Sequence, residues 1–231
     1  MPASLPQSTI QLESINHSSS IILDYWQRGT WEEFIAIAQQ TNPDNCQNSR
    51  GYYYNGWMRL EPTRSGADQA RSHAMVASLV GLYAALAPMK LADYVNPIIQ
   101  RCQQQQAQPH LAFYIDRDLK DLPTGNVPID LDRFDPPSLV VEVGASSFAD
   151  DVGMKRLLYE RLGVAEYWVV NVEARSIIGF AIADRGSREI QVSQVLPGLE
   201  LSIITEALQR LDREDDGQIT RWLIDQFQEK S

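Results

Sequence analysis

Apolar positions along this chain recur with strand-like and helix-like periods, and the elements can be read from where one gives way to the other. Residues 68–87 place Val76, Leu79, Val80, Tyr83 and Leu86 on one face of a helix of about five turns, stopped by Pro88. Residues 110–115 (HLAFYI), 138–143 (SLVVEV), 167–170 (YWVV), 177–182 and 189–195 read as strands. Between them, residues 150–162 have helical periodicity, with Asp151, Lys155 and Tyr159 spaced four apart on one face. Helical patterns at 201–211 and 218–227 follow. Near the start, Thr30 and Glu33 have capping-box spacing and open a short helix through Trp31, Phe34 and Ile37. The Asn55-Gly56 step, flanked by aromatic and apolar residues, predicts a hairpin that turns there. The glutamine run at 103–106 and the Pro/Gly/Asp-rich stretch leading to Pro137 read as loops.

This order predicts a mixed α/β fold with a single mixed central sheet flanked by helices. The chain divides into an N-terminal arm (1–29), an α/β domain (30–208) and a C-terminal helical extension (209–231). With 231 residues, 44% of them hydrophobic, it can bury one sizeable core. No apolar run approaches a membrane span, and the opening MPASLPQSTIQLES lacks the basic and apolar regions of a secretory signal, so a cytoplasmic protein with no membrane partner is expected. Cys46 and Cys102 are far apart without metal-ligand spacing, and both read as reduced structural residues.

The net charge of −10 argues against a broad basic surface for nucleic acid. Half of that deficit lies in residues 107–160, with ten acidic against five basic residues. Such a cluster either attracts divalent cations or forms a solvated acidic loop. No GxGxxG, Walker A loop or Ser-His-Asp arrangement is present, which removes support for nucleotide-dependent and acyl-transfer enzymes.

Glu142 is the most informative residue, because it stands inside an otherwise apolar strand. An ionised carboxylate buried there needs a metal or a cation beside it. The helix that follows carries Lys155, so either a metal site or a Glu142–Lys155 ion pair is consistent with the pattern.

The pieces YYYNGWMRLEP, Ser72-His73 near a helix start, QPHLAFYI, PPSLVVEVGASS, DDVGMKRLLYERLGVAEYWVVN and LPGL together resemble the Uma-two family of restriction-endonuclease-like proteins, within the PD-(D/E)xK nuclease superfamily. The resemblance runs from the hairpin to about residue 208. It implies an endonuclease that hydrolyses DNA phosphodiesters with Mg²⁺ or Mn²⁺, using a strand Asp, a strand Glu and a helix Lys. Carboxylates would hold the ion, which polarises phosphate and activates water, and lysine would stabilise the developing charge. On this chain Glu142 and Lys155 are the catalytic candidates, Glu142 and His110 the metal candidates, and Glu61 and His73 possible auxiliaries.

Departures from that pattern all remove negative charge. Pro109-His110 stands where the family has Pro-Asp, and Ser138 and Asn171 occupy positions where relatives often carry Asp. The superfamily's lysine two positions after the Glu is replaced here by Gly144. Imidazole serves Mg²⁺ poorly, so weak metal binding and attenuated cleavage are expected. Asp116 shares strand parity with His110 but lies roughly 20 Å along the strand and cannot substitute. The alternative is a catalytically degenerate nuclease fold that serves as a binding or interaction protein. A homodimer is expected, since nuclease domains of this kind often act as symmetric pairs on the two strands of duplex DNA and C₂ pairs are the commonest soluble assembly.

Overall fold

The computed structural model describes residues 24–38, 49–63, 66–144 and 147–228. The expected capping box opens α1 (Trp31–Ala38), with the Glu33 amide 3.2 Å from Thr30 Oγ1 and the Thr30 amide 2.7 Å from Glu33 Oε2. Strands β2 (Ser49–Tyr54) and β3 (Trp57–Pro62) form the hairpin, turning at Asn55 (φ 51°) and Gly56 (φ 75°). Positive φ at both turn residues makes this the two-residue turn that Asn-Gly favours. Its tightness sets the register, so Arg50 faces Glu61 and Tyr52 faces Arg59 across the ladder.

The central sheet has the order β12-β11-β10-β9-β7-β4. It comprises β4 (Leu91–Val95), β7 (Leu111–Ile115), β9 (Leu139–Gly144), β10 (Glu166–Asn171), β11 (Ser176–Ala183) and β12 (Gly186–Ile190). β9 and β10 are parallel and the other neighbours antiparallel, so the sheet is mixed. Alternation along β9 assigns its faces. Leu139, Val141 and Val143 pack under α2 (Ala67–Leu86), α5 (Leu201–Arg210) and α6 (Asp216–Gln228), while Val140 joins Tyr159 and Tyr52 on the opposite face. Glu142 shares parity with Val140 and therefore points at that opposite face.

This face is covered by a continuous helical stretch and by the hairpin. The stretch runs through α3 (Phe148–Asp150), a π-helical turn (Asp151–Lys155) and α4 (Arg156–Leu162), ending at Gly163 with φ 84°. A π turn inside a helix is uncommon and often accompanies a functional site.

Several expectations are corrected. The central sheet is accompanied by a second sheet of order β1-β3-β2-β6-β5-β8, which adds β1 (Gln27–Arg28), β5 (Ile99–Arg101), β6 (Gln105–Ala107) and β8 (Ile129–Asp130) to the hairpin. The glutamine run is thus partly strand, because Gln105 and Gln106 pair with Tyr54 and Tyr53. The strand expected at 189–195 begins earlier and ends at Ile190; Val192 makes only an isolated bridge to Glu200. Beside these corrections, the helix expected at the C-terminal end is present as α6, with Ile219, Leu223 and Phe227 buried in the same core as the sheet. Cys102 is exposed rather than structural, while Cys46 and residues 1–23 of the expected arm lie outside the described residues.

Candidate functional site

The residues singled out from sequence meet in one buried cluster between the central sheet and the hairpin. Glu142 and Lys155 are fully buried, and Glu61 and His110 nearly so. Lysine reaches the cluster from the π turn. Its Nζ lies 2.7 Å from Glu61 Oε1, 2.8 Å from Glu61 Oε2, 2.7 Å from Asp151 Oδ1 and 3.9 Å from Glu142 Oε1. The Asp151 contact is an ion pair, and Asp151 Oδ2 accepts from Ser147 Oγ at 2.9 Å. Lys155 Nζ also stands 4.3 Å above the Tyr52 ring, a cation–π contact.

Gly144 leaves room for the helix side chains at the position where a strand lysine is expected in the superfamily. A Cβ here would lie 2.5 Å from both Asp151 Oδ2 and Ser147 Oγ, so a strand side chain would have to push them aside.

His110 precedes β7, on the same face as Ala112, and its ring meets the β9 backbone. Its Nδ1 accepts the Val143 amide at 3.0 Å and approaches Arg50 Nη1 and Glu142 Oε2, each at 2.7 Å. Burial, reinforced by the Arg50 guanidinium, pushes this imidazole down to about 4, so it is neutral at neutral pH. With two N–H donors aimed at it, Nδ1 serves as an acceptor. Gln69 Nε2 lies 3.3 Å from the other ring nitrogen and donates to the Val143 carbonyl at 2.6 Å. His73 is half-buried behind this ring, edge-on with centroids 5.8 Å apart, and burial lowers its pKa.

Two residues that sequence reasoning did not single out as site residues are central. Arg50 donates Nη2 to Glu61 Oε2 at 2.8 Å and Nη1 to Glu142 Oε2 at 3.0 Å. Arg59 donates Nε to Glu61 Oε1 and Nη1 to Asp150 Oδ2, both at 2.7 Å. The signal for them lay in the hairpin. A two-residue turn at Asn55-Gly56 makes Arg50 the direct partner of Glu61, and strand parity puts Tyr52 beside Arg50 and Arg59 beside Glu61.

Electrostatically the cluster is closed. Glu142 Oε1 accepts from the hydroxyls of Tyr52 at 2.9 Å and Tyr159 at 2.7 Å, and Oε2 accepts from Arg50. Burial would raise the Glu142 pKa, but Lys155 and Arg50 hold it well below the usual carboxylate range. Glu61 is likewise lowered, with Lys155 and Arg50 outweighing its desolvation. Lys155 stays above its ordinary value because Glu142, Asp151 and Glu61 outweigh burial. For Asp151 burial wins, aided by repulsion from Glu142 and Glu61, and its carboxyl is pushed up to about 6. Above that pH the buried carboxylates Glu61, Glu142 and Asp151, with the partly exposed Asp150, face the three cations Arg50, Arg59 and Lys155.

The residues present do not fit a divalent metal. The oxygens of Glu61 and Glu142 are taken up by protein donors, His110 offers nitrogen to a hard cation, and a charge of +2 would sit among the three cations Arg50, Arg59 and Lys155. Among the described residues no group of three or more His, Cys, Asp or Glu side chains is arranged to hold a metal ion. Among the same residues no helix is long and apolar enough to cross a membrane.

A mixed sheet with a buried glutamate mid-strand, met by a lysine from the next helix, places this protein in the restriction-endonuclease-like class of nuclease folds. Residues 31–214 match the family model Uma2, described as "Putative restriction endonuclease", and the chain belongs to that family. It is also similar in structure to an Anabaena variabilis protein described as "a putative nuclease belonging to DUF820", with a TM-score of 0.50 and 11% identity over 68% of this chain and 90% of that one. At that identity the likeness shows the fold. No curated protein matches the sequence.

Proposed function

We propose that this protein is a nuclease-family member whose hydrolytic centre is silenced and that it acts as a binding or interaction protein. One observation carries the reading: Glu61 and Glu142, the carboxylates a metal would need, are already bound by Arg50, Arg59, Lys155, Tyr52 and Tyr159 inside the protein. DNA is the partner class that family membership suggests. With a net charge of −10, contact with DNA would depend on local basic groups. The competing reading, an attenuated Mg²⁺-dependent endonuclease, is favoured by the convergence of Glu61, Glu142 and Lys155, and requires Arg50 to withdraw.

Nicking of supercoiled plasmid in Mg²⁺ or Mn²⁺ separates the two. The silenced reading expects the unmodified protein to cleave no faster than its Glu142→Gln variant, while a mobility-shift titration with the same DNA tests for binding without cleavage. Metal-dependent nicking that disappears in Glu142→Gln would establish the endonuclease instead.

A further inference from the structure

Arg50 stands where the two strand carboxylates converge. Its guanidinium reaches Glu61, Glu142 and His110 together, at 2.8, 3.0 and 2.7 Å, and the side chain is buried. A guanidinium cannot lose its proton under ordinary conditions and presents donors in a planar fork, so it can bridge two carboxylates permanently. His110 completes this arrangement as a nitrogen acceptor, a role that suits Arg50 and not a hard divalent ion.

We propose that Arg50 is a resident cation in the place of a metal, and that Arg50 and His110 form one exchangeable set: replacing both by a small neutral residue and a carboxylate turns the cluster into a divalent-metal site. The inference rests on the silenced reading above and names the device that does the silencing. Charge accounting supports it. Arg50→Ala removes one positive charge and His110→Asp adds one negative charge, a change of two that a single divalent cation restores to the balance present now. Neither substitution alone does this, because Arg50→Ala leaves imidazole in the ligand set and His110→Asp leaves the guanidinium in place.

The test is a Mn²⁺ titration followed by electron paramagnetic resonance and by thermal melts, in the absence of DNA, on the unmodified protein, both single variants, Arg50→Ala/His110→Asp, and that pair combined with Glu142→Gln. The double variant should bind Mn²⁺ at least about tenfold more tightly than either single variant. Its Tm should rise by roughly 5 °C or more at Mn²⁺ about a hundred times the Kd. Adding Glu142→Gln should remove most of that affinity. If the double variant folds only with metal, recovery of the native circular dichroism spectrum on refolding in Mn²⁺ supports the proposal, and failure to recover in Mn²⁺ overturns it. A folded double variant that binds no better than the unmodified protein also overturns it. So does Mn²⁺ binding by the unmodified protein as tight as that of the double variant. Failure of the silenced reading shows separately, as plasmid nicking.

Discussion

Replacing Lys155 by methionine probes how the cluster is held together. The methionine keeps most of the volume and removes the charge. Lys155 is fully buried, and its ammonium lies within 2.8 Å of Glu61 and Asp151 and 3.9 Å from Glu142. Without it, Arg50 and Arg59 face the buried Glu61, Glu142 and Asp151 as well as the partly exposed Asp150, leaving at least one buried negative charge uncompensated. Removing one partner of a buried ion pair costs about 3–5 kcal/mol, a large share of the roughly 5–15 kcal/mol that stabilises a typical domain. The cost should depend on pH. Asp151 already titrates at about 6, and Lys155 is the cation that holds it down, so the variant raises its pKa further and lets it take up the missing proton. At pH 8 the folded variant meets the full charge imbalance or must protonate Asp151 against the solution. At pH 5 Asp151 is mostly protonated in both proteins. Each unit by which its pKa rises is worth about 1.4 kcal/mol, so the destabilisation should be smaller at pH 5 than at pH 8 by roughly 1–2 kcal/mol. Urea denaturation midpoints at the two pH values, with the m-value unchanged, measure both quantities. A cost below about 1 kcal/mol at pH 8, or the same cost at both pH values, would refute the reasoning.

Two further outcomes are expected. The imidazole of His110 accepts a proton near 6.5 when unfolded but only at about 4 when folded. Its contribution to stability is therefore complete above pH 6.5 and is lost as pH falls toward 4, amounting to about 3 kcal/mol. Asp151 acts in the opposite sense between its usual 3.8 and about 6, so the comparison must be made against His110→Gln, whose stability should fall less across that window in urea titrations; equal slopes would contradict the assignment. Gly144→Ala should cost about 1–3 kcal/mol, because the new Cβ would lie 2.5 Å from Asp151 Oδ2 and Ser147 Oγ, and thermal melts showing no loss would mean that Asp151 is not held where it stands.

Much of the scaffold was legible locally. The Thr30–Glu33 capping box, the Asn55-Gly56 turn, the long α2 periodicity and the strands around Glu142 depend on interactions between residues close in sequence, and they appear where the pattern puts them. Glu142 also announced by itself that a cation had to be near, since an apolar strand cannot bury an ionised carboxylate alone. The family resemblance pointed to Lys155. What the sequence by itself could not decide was which cations neutralise the site. The hairpin turn dictates that Arg50 faces Glu61, but a hairpin has two faces, and which one lies over β9 follows from packing: Tyr53, Met58 and Leu60 bury the other face with Phe34 of α1. That choice turns Arg50, Tyr52, Arg59 and Glu61 inward together. Glu142 is 92 residues from Arg50 and 90 from Tyr52 along the chain, so their hydrogen bonds exist only once two sheets and a helix have closed around them, in a dehydrated interior where each charge must find its partner.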